Sequence, residues 1–192
     1  MTLLRLVPAL ATHRGMRRKH NEDAAGYHYP SDIETLRSHG ALFIVADGVG
    51  GLSSGDKASQ MTVDTLVEFY YESDSSLSIE QRLAESIQDV NSRVFTTLKR
   101  EGATTLVVVV ILEDRLIAAS AGDSQIFRLA DGDIVPPSGP KPVFNMPGAS
   151  PRSLGSLESD ASVDEAKPTP AAADESKVRR RLGMWAVHAA CV

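Results

Sequence analysis

Cysteine is almost missing from this sequence: Cys191, one position before the end, is the single one among 192 residues. No intrachain disulfide can form, and no Cys/His zinc set exists, which fits a reducing compartment. Long apolar runs are missing as well, and none approaches the ~18 residues of a membrane span. The opening "MTLLRLVPALA" has a small-residue Ala9-Leu10-Ala11 site, but Arg5 and Pro8 interrupt its apolar stretch. A first β-strand over Leu3–Thr12 is expected there rather than a signal peptide, and a cytoplasmic location follows. Excess positive charge is also lacking. The formal net charge is -5, which speaks against a nucleic-acid groove, because phosphate backbones want clustered Lys and Arg.

At 42% hydrophobic residues the chain can bury a core, but not evenly along its length. Eight of the ten prolines fall between Pro136 and Pro170, amid Ser, Ala, Asp and Glu. That composition cannot offset chain entropy by burial. Residues 1–135 are therefore expected to fold, and 136–192 to be a mostly disordered tail. Its last piece, "KVRRRLGMWAVHAACV", reads as a short amphipathic helix or as an unstructured end.

Within 1–135, apolar positions recur at helical spacing from Gly55 to Glu72, through Ala58, Met61, Thr65, Leu66, Phe69 and Tyr70. A second helix opens at Ser78, with Gln81 three residues on completing a capping-box pattern. Its stripe runs Ile79, Leu83, Ile87, Val90, Val94, Leu98, and Gly102 is expected to stop it. "TTLVVVVIL", Thr104–Leu112, is apolar and β-branched without alternation, so it is expected to be covered on both faces. A tight turn at Glu113-Asp114 leads to "RLIAASAG", then "SQIFRLADG" with an Asp131-Gly132 turn, giving a three-strand meander. Further strands are expected at Ala24–Tyr29 and Ala41–Ala46. Strands, two consecutive helices, then strands do not make βαβ alternation. They predict an α+β protein with sheet against sheet and helices outside.

The stretch "LFIVADGVGG", Leu42–Gly51, carries the chemistry question. Gly50 and Gly55 have P-loop spacing, but Asp56 stands where lysine belongs, and a carboxylate there repels triphosphate. The dinucleotide pattern fails too. Carboxylates gather at strand ends instead: Glu22 and Asp23 before one strand, Asp47 ending another, Asp123 ending a third. Such groups repel one another unless a hard cation such as Mg²⁺ or Mn²⁺ lies between them. Asp-Gly pairs are also ordinary turn residues; that suffices at Asp131-Gly132, while both readings stand at Asp47. The basic "HRGMRRKHNED" ahead of Glu22 is either a solvated loop or the source of an arginine that clamps a phosphate.

Five segments in order resemble the PPM or PP2C family of metal-dependent protein serine/threonine phosphatases: "RGMRRKHNED", "LFIVADGVGG", "GDKASQMTVDTL", "GATTLVVVVI" and "RLIAASAGDSQIFRLADGDI". The resemblance covers about residues 3–135, with "RSLGS" at Arg152–Ser156 as a fainter echo. It implies a four-layer αββα sandwich and hydrolysis of phosphoserine or phosphothreonine proteins at a two-ion Mn²⁺ or Mg²⁺ centre. Asp47 would bridge the ions, with the Gly48 carbonyl and Glu22 on one of them and Asp23 nearby. Asp123 would help hold a third ion. Arg18 would hold the phosphate while activated water attacks in line. Relatives with a histidine at the position of Val49 have a candidate general acid there; valine cannot serve. The partners this implies are the phosphoprotein substrate and a Ser/Thr kinase, within signal transduction, with neither nucleic acid nor membrane involved.

The family's later S-D-G and D-N aspartates have no counterpart here; Asp160, Asp164 and Asp174 lie in no matching motif. A truncated chain of very low activity is the expectation. The alternatives are a pseudophosphatase that binds phosphoprotein without hydrolysis, and ligands drawn from the tail. The acidic tail ending in Arg179–Arg181 also admits a regulatory interaction role.

Overall fold

The computed structural model describes residues 6–49, 54–99, 101–113, 115–130, 133–135 and 185–188, with side chains through Phe127. Its elements are β1 (Asp23–His28), α1 (Ile33–His39), β2 (Ala41–Asp47), α2 (Gly55–Glu72), α3 (Ile79–Leu98), β3 (Leu106–Leu112), β4 (Arg115–Ala121), β5 (Gln125–Ala130), β6 (Asp133–Val135) and β7 (Trp185–His188). Strands β1-β2-β3-β4 form one antiparallel sheet, and β6-β5-β7 form a second. The expected α+β class holds.

The two long helices start and end where the periodicity puts them. Ser78 Oγ accepts from the Gln81 N–H at 3.2 Å while Gln81 Oε1 accepts from the Ser78 N–H at 3.1 Å, so the capping box closes. α2 lies against β1 and β2, and α3 against α2. Between them and the sheet sits the core: Leu66, Tyr70, Leu83, Val90 and Val94 from the helices meet Leu42, Ile44, Leu106, Val108 and Val110 from the strands. Burying each such side chain contributes about 1.5–3 kcal/mol. Val107 and Val109 point to the opposite face and are buried too, so β3 is covered on both sides as its composition predicts.

Four expectations need correction. Residues 6–12 form no strand, and Val7 is 82% exposed; Pro8 in their midst has no N–H to give a ladder. The third meander strand does not continue the first sheet. Gly122, at φ 100, turns the chain after β4 with a backbone conformation that other residues reach only under strain, and β5 pairs with β6 and β7 instead. Gly102 is not the stop of α3. That cap is Lys99, itself left-handed at φ 48, whose N–H donates to the Phe95 carbonyl; Gly102 packs tightly against Leu98 and Ser54. Finally, Trp185–His188 is a strand on β5, not a helix. The Glu113-Asp114 hairpin joins Leu112 to its partner Arg115, with Glu113 at φ 52. The Asp131-Gly132 turn lies outside the described residues.

Helix α1 has no counterpart among the expected elements. Asp32 caps its N-terminus by accepting from the Thr35 N–H at 2.7 Å. The buried Arg82 and two tyrosines close its other end: Arg82 Nη2 donates to the Ser38 carbonyl at 2.8 Å, Tyr70 Oη to that of His39 at 2.7 Å and Tyr71 Oη to that of Gly40 at 2.8 Å. These donors satisfy carbonyls that a helix end leaves unpaired.

Candidate metal and phosphate site

Register builds the site. In the β1–β2 ladder Asp23 stands directly opposite Asp47. Directly opposed residues share a face of the sheet, with β-carbons ~4.5–5.5 Å apart. Ala24, Leu42, Ile44 and Ala46 face the helices, so alternation turns Asp23 and Asp47 to the other face. Two like charges placed directly opposite are unfavourable by themselves, and a divalent cation between them reverses the sign.

The backbone around this pair is held closely. Gly48 N–H donates to the Glu22 carbonyl at 3.0 Å, and Ser59 Oγ of α2 donates to the same oxygen at 2.6 Å. Gly48 also bridges to Thr104. A β-carbon on Gly48 would lie 2.5 Å from the Glu22 carbonyl oxygen, so no larger residue fits. Across from it, Asp47 N–H donates to Thr105 Oγ1 at 3.0 Å, and Thr105 N–H returns to the Asp47 carbonyl at 2.8 Å. Thr105 Oγ1 shares a 2.7 Å hydrogen bond with Ser124 Oγ. That relay brings the exposed Asp123, one residue before Ser124, to the same end of the sheet. Val49 N–H donates to the Ala103 carbonyl at 2.8 Å; its side chain has no proton to give.

Arg18 Nη1 donates to Glu22 Oε2 at 2.5 Å, with the two side chains 37% and 21% exposed. The guanidinium thus pairs with the carboxylate one residue before Asp23 in sequence. Glycines 50 and 51 of the loop after Asp47 lie outside the described residues.

The donors present, carboxylates and backbone carbonyls, are the hard oxygens that Mn²⁺ and Mg²⁺ prefer, and the opposed Asp23–Asp47 pair suits a dication. The coordination is partial: among the described residues no group of three or more His, Cys, Asp or Glu is placed to hold a metal ion. Thr105, Ser124 and Ser59 carry no role in the motif reading. Their hydroxyls join positions far apart in sequence, and the only signal was their place inside "GATTL", "GDS" and "GDKAS".

Residues 16–165 match the sequence model of the family described as Protein phosphatase 2C, and the chain belongs to that family. The match runs past residue 135, where the recognisable motifs end. The chain is similar to the serine/threonine phosphatase stp of Listeria welshimeri, 33% identical over 131 residues that cover 64% of this chain and 50% of that protein. It is similar to the protein phosphatase PhpP of Streptococcus pneumoniae, 29% identical over 124 residues covering 62% and 48%. Among solved structures, the PPM Ser-Thr phosphatase MsPP of Mycobacterium smegmatis, in complex with cacodylate, superposes with a TM-score of 0.50 at 30% identity, covering 65% of this chain and 49% of that one. The catalytic domain of the phosphatase PstP, in complex with two manganese ions, superposes with a TM-score of 0.56 at 23% identity, covering 79% and 68%, and shows the shared fold. The chain spans about half the length of the curated relatives it matches. Among the described residues no helix is long and apolar enough to cross a membrane.

Proposed function

We propose that this chain carries the phosphate- and metal-binding half of a phosphoserine/phosphothreonine protein phosphatase site. The supporting observation is the Asp23–Asp47 pairing at the strand ends; Arg18 pairs with Glu22, one residue earlier in sequence. Asp47, the Gly48 carbonyl, Glu22, Asp23 and Asp123 would hold Mn²⁺ or Mg²⁺, at two or three positions. When bound, such ions supply charge neutralisation at the phosphoryl oxygens and lower the pKa of water. Arg18 then exchanges Glu22 for the substrate phosphate and holds it bidentately. Thr105 fixes the Asp47 backbone, so its carboxylate keeps one aim. Val49 leaves protonation of the departing serine or threonine oxygen to water.

Binding of phosphoprotein without turnover is a second reading, and one observation favours it: the described residues supply no three-ligand group. Calorimetric titration with Mn²⁺ and hydrolysis of p-nitrophenyl phosphate separate the possibilities. Measurable Mn²⁺ heat that Asp47→Asn removes, with very slow hydrolysis, is the expected result. Turnover at the rate of an ordinary phosphatase, abolished by Asp47→Asn, would overturn the low-activity expectation. No heat at millimolar Mn²⁺ would overturn the metal centre itself.

A further inference from the structure

The first 21 residues hold five Lys and Arg and no Asp or Glu, so a chain of net charge -5 carries -10 in the remainder. That positive charge is concentrated in one short loop. Asn21 Nδ2 donates to Thr12 Oγ1 at 2.9 Å and closes it, and Arg14 Nη1 donates to the Lys19 carbonyl at 3.2 Å and braces it. Arg18 turns inward to Glu22. Arg17 and Lys19, on either side of it in sequence, stay exposed. Asp23 and the loop's own Asn21 also border a groove lined by Asp56, Asp64 and Glu68, with Lys57 and Arg93.

We propose that the 12–21 loop is a docking surface for an acidic segment next to the phosphorylated residue of the substrate, read by Arg17 and Lys19. The assignment rests on the phosphoprotein reading of the Arg18 site. Arg18 places the phosphate at the base of the loop, so residues on one side of the phosphoresidue pass over Arg17 and Lys19. Acidic flanks are therefore favoured on the side that passes over Arg17 and Lys19. A long polyanion such as RNA would also meet Asp56, Asp64 and Glu68 of the adjoining groove, which disfavours it. The loop's hydrogen bonds hold it ready, so little ordering opposes binding, and exposed rim charges act mainly by steering and selection.

The test is fluorescence anisotropy on the full chain at low salt. The probes are phosphothreonine peptides flanked by Glu on the N-terminal side, by Glu on the C-terminal side, or by Gln, an unphosphorylated Glu peptide, and single-stranded RNA. One Glu-flanked phosphopeptide is expected to bind about tenfold tighter than the Gln-flanked one, the size two exposed charge pairs supply. The preference should fade toward 0.5 M salt, where screening shortens the range of the field. Arg17→Gln with Lys19→Gln should erase the preference and Arg17→Glu with Lys19→Glu should reverse it, each lowering the Gln-flanked affinity by less than the Glu-flanked one. Equal binding of the phosphopeptides, a preference that survives these variants, or RNA bound as tightly through the same residues would overturn the docking surface. Loop-dependent binding of the unphosphorylated Glu peptide, with no gain from phosphate, would uphold the surface and overturn the phosphate reading. No binding of any probe would overturn both.

Discussion

The two faces of the β1–β4 sheet differ in what they carry. One face, Leu42, Ile44, Leu106, Val108 and Val110, is buried under α2 and α3. The other carries Tyr27 stacked on Phe43 with ring centroids 6.0 Å apart, half-buried Val45 and, at the strand ends, Asp23 and Asp47. Alternation in β1 and β2 thus puts the helix-packed side chains and the two opposed carboxylates on different faces. The helices supply the rigidity on one side that holds two carboxylates against each other on the other.

The largest test of that division is a pair of truncations. Leu42→Ala should cost about 2–5 kcal/mol and Val45→Ala about 1 kcal/mol or less, read from urea denaturation; equal costs would break the contrast. Next, Gly48→Ala forces a β-carbon onto the Glu22 carbonyl and should cost about 1–3 kcal/mol, with Mn²⁺ affinity lost alongside. A smaller effect comes from Ser78→Ala, which removes the capping box on the helix side for about 1 kcal/mol and should leave Mn²⁺ titration untouched. Least in size is the pH response of His39. Burial first, then the Arg82 charge, holds its pKa below the ordinary 6.5. The unfolded chain then binds the proton more readily, so stability rises with pH: it is full above 6.5 and falls as pH drops from there toward the folded value. His39→Gln should flatten that fall in the urea midpoint between pH 7.5 and 5.

What the sequence made legible follows from how local each signal is. α2 and α3 announce themselves because periodicity and the Ser78–Gln81 cap lie within one segment. β3 does so because Leu106–Ile111 is unbroken and apolar. The sheet to which β5 belongs was not legible: alternation marks a strand but not its neighbour, and the turn at Gly122 decided it. β7 depends on a partner some 60 positions earlier, which no local pattern encodes. At the site, Arg18, Glu22, Asp23 and Asp47 stand out by motif, and the opposition of Asp23 to Asp47 is a matter of register. The Asp47–Thr105–Ser124 relay was invisible, since hydroxyls have no characteristic spacing.

The helical hairpin interrupts the sheet in sequence: Ile44 pairs with Val108 across the whole of α2 and α3. Were that intervening chain unstructured, bringing the two strands together would carry a large closure entropy. With α2 and α3 already docked, the ends of the hairpin arrive near each other and the strands zip with little further loss. Closure therefore costs least when the helices dock before the β2–β3 ladder pairs, since that ladder is the non-local one. The Thr105–Asp47 bonds lie just beyond the end of that ladder, so the backbone that carries the Asp47 carboxylate is held by the same long-range closure.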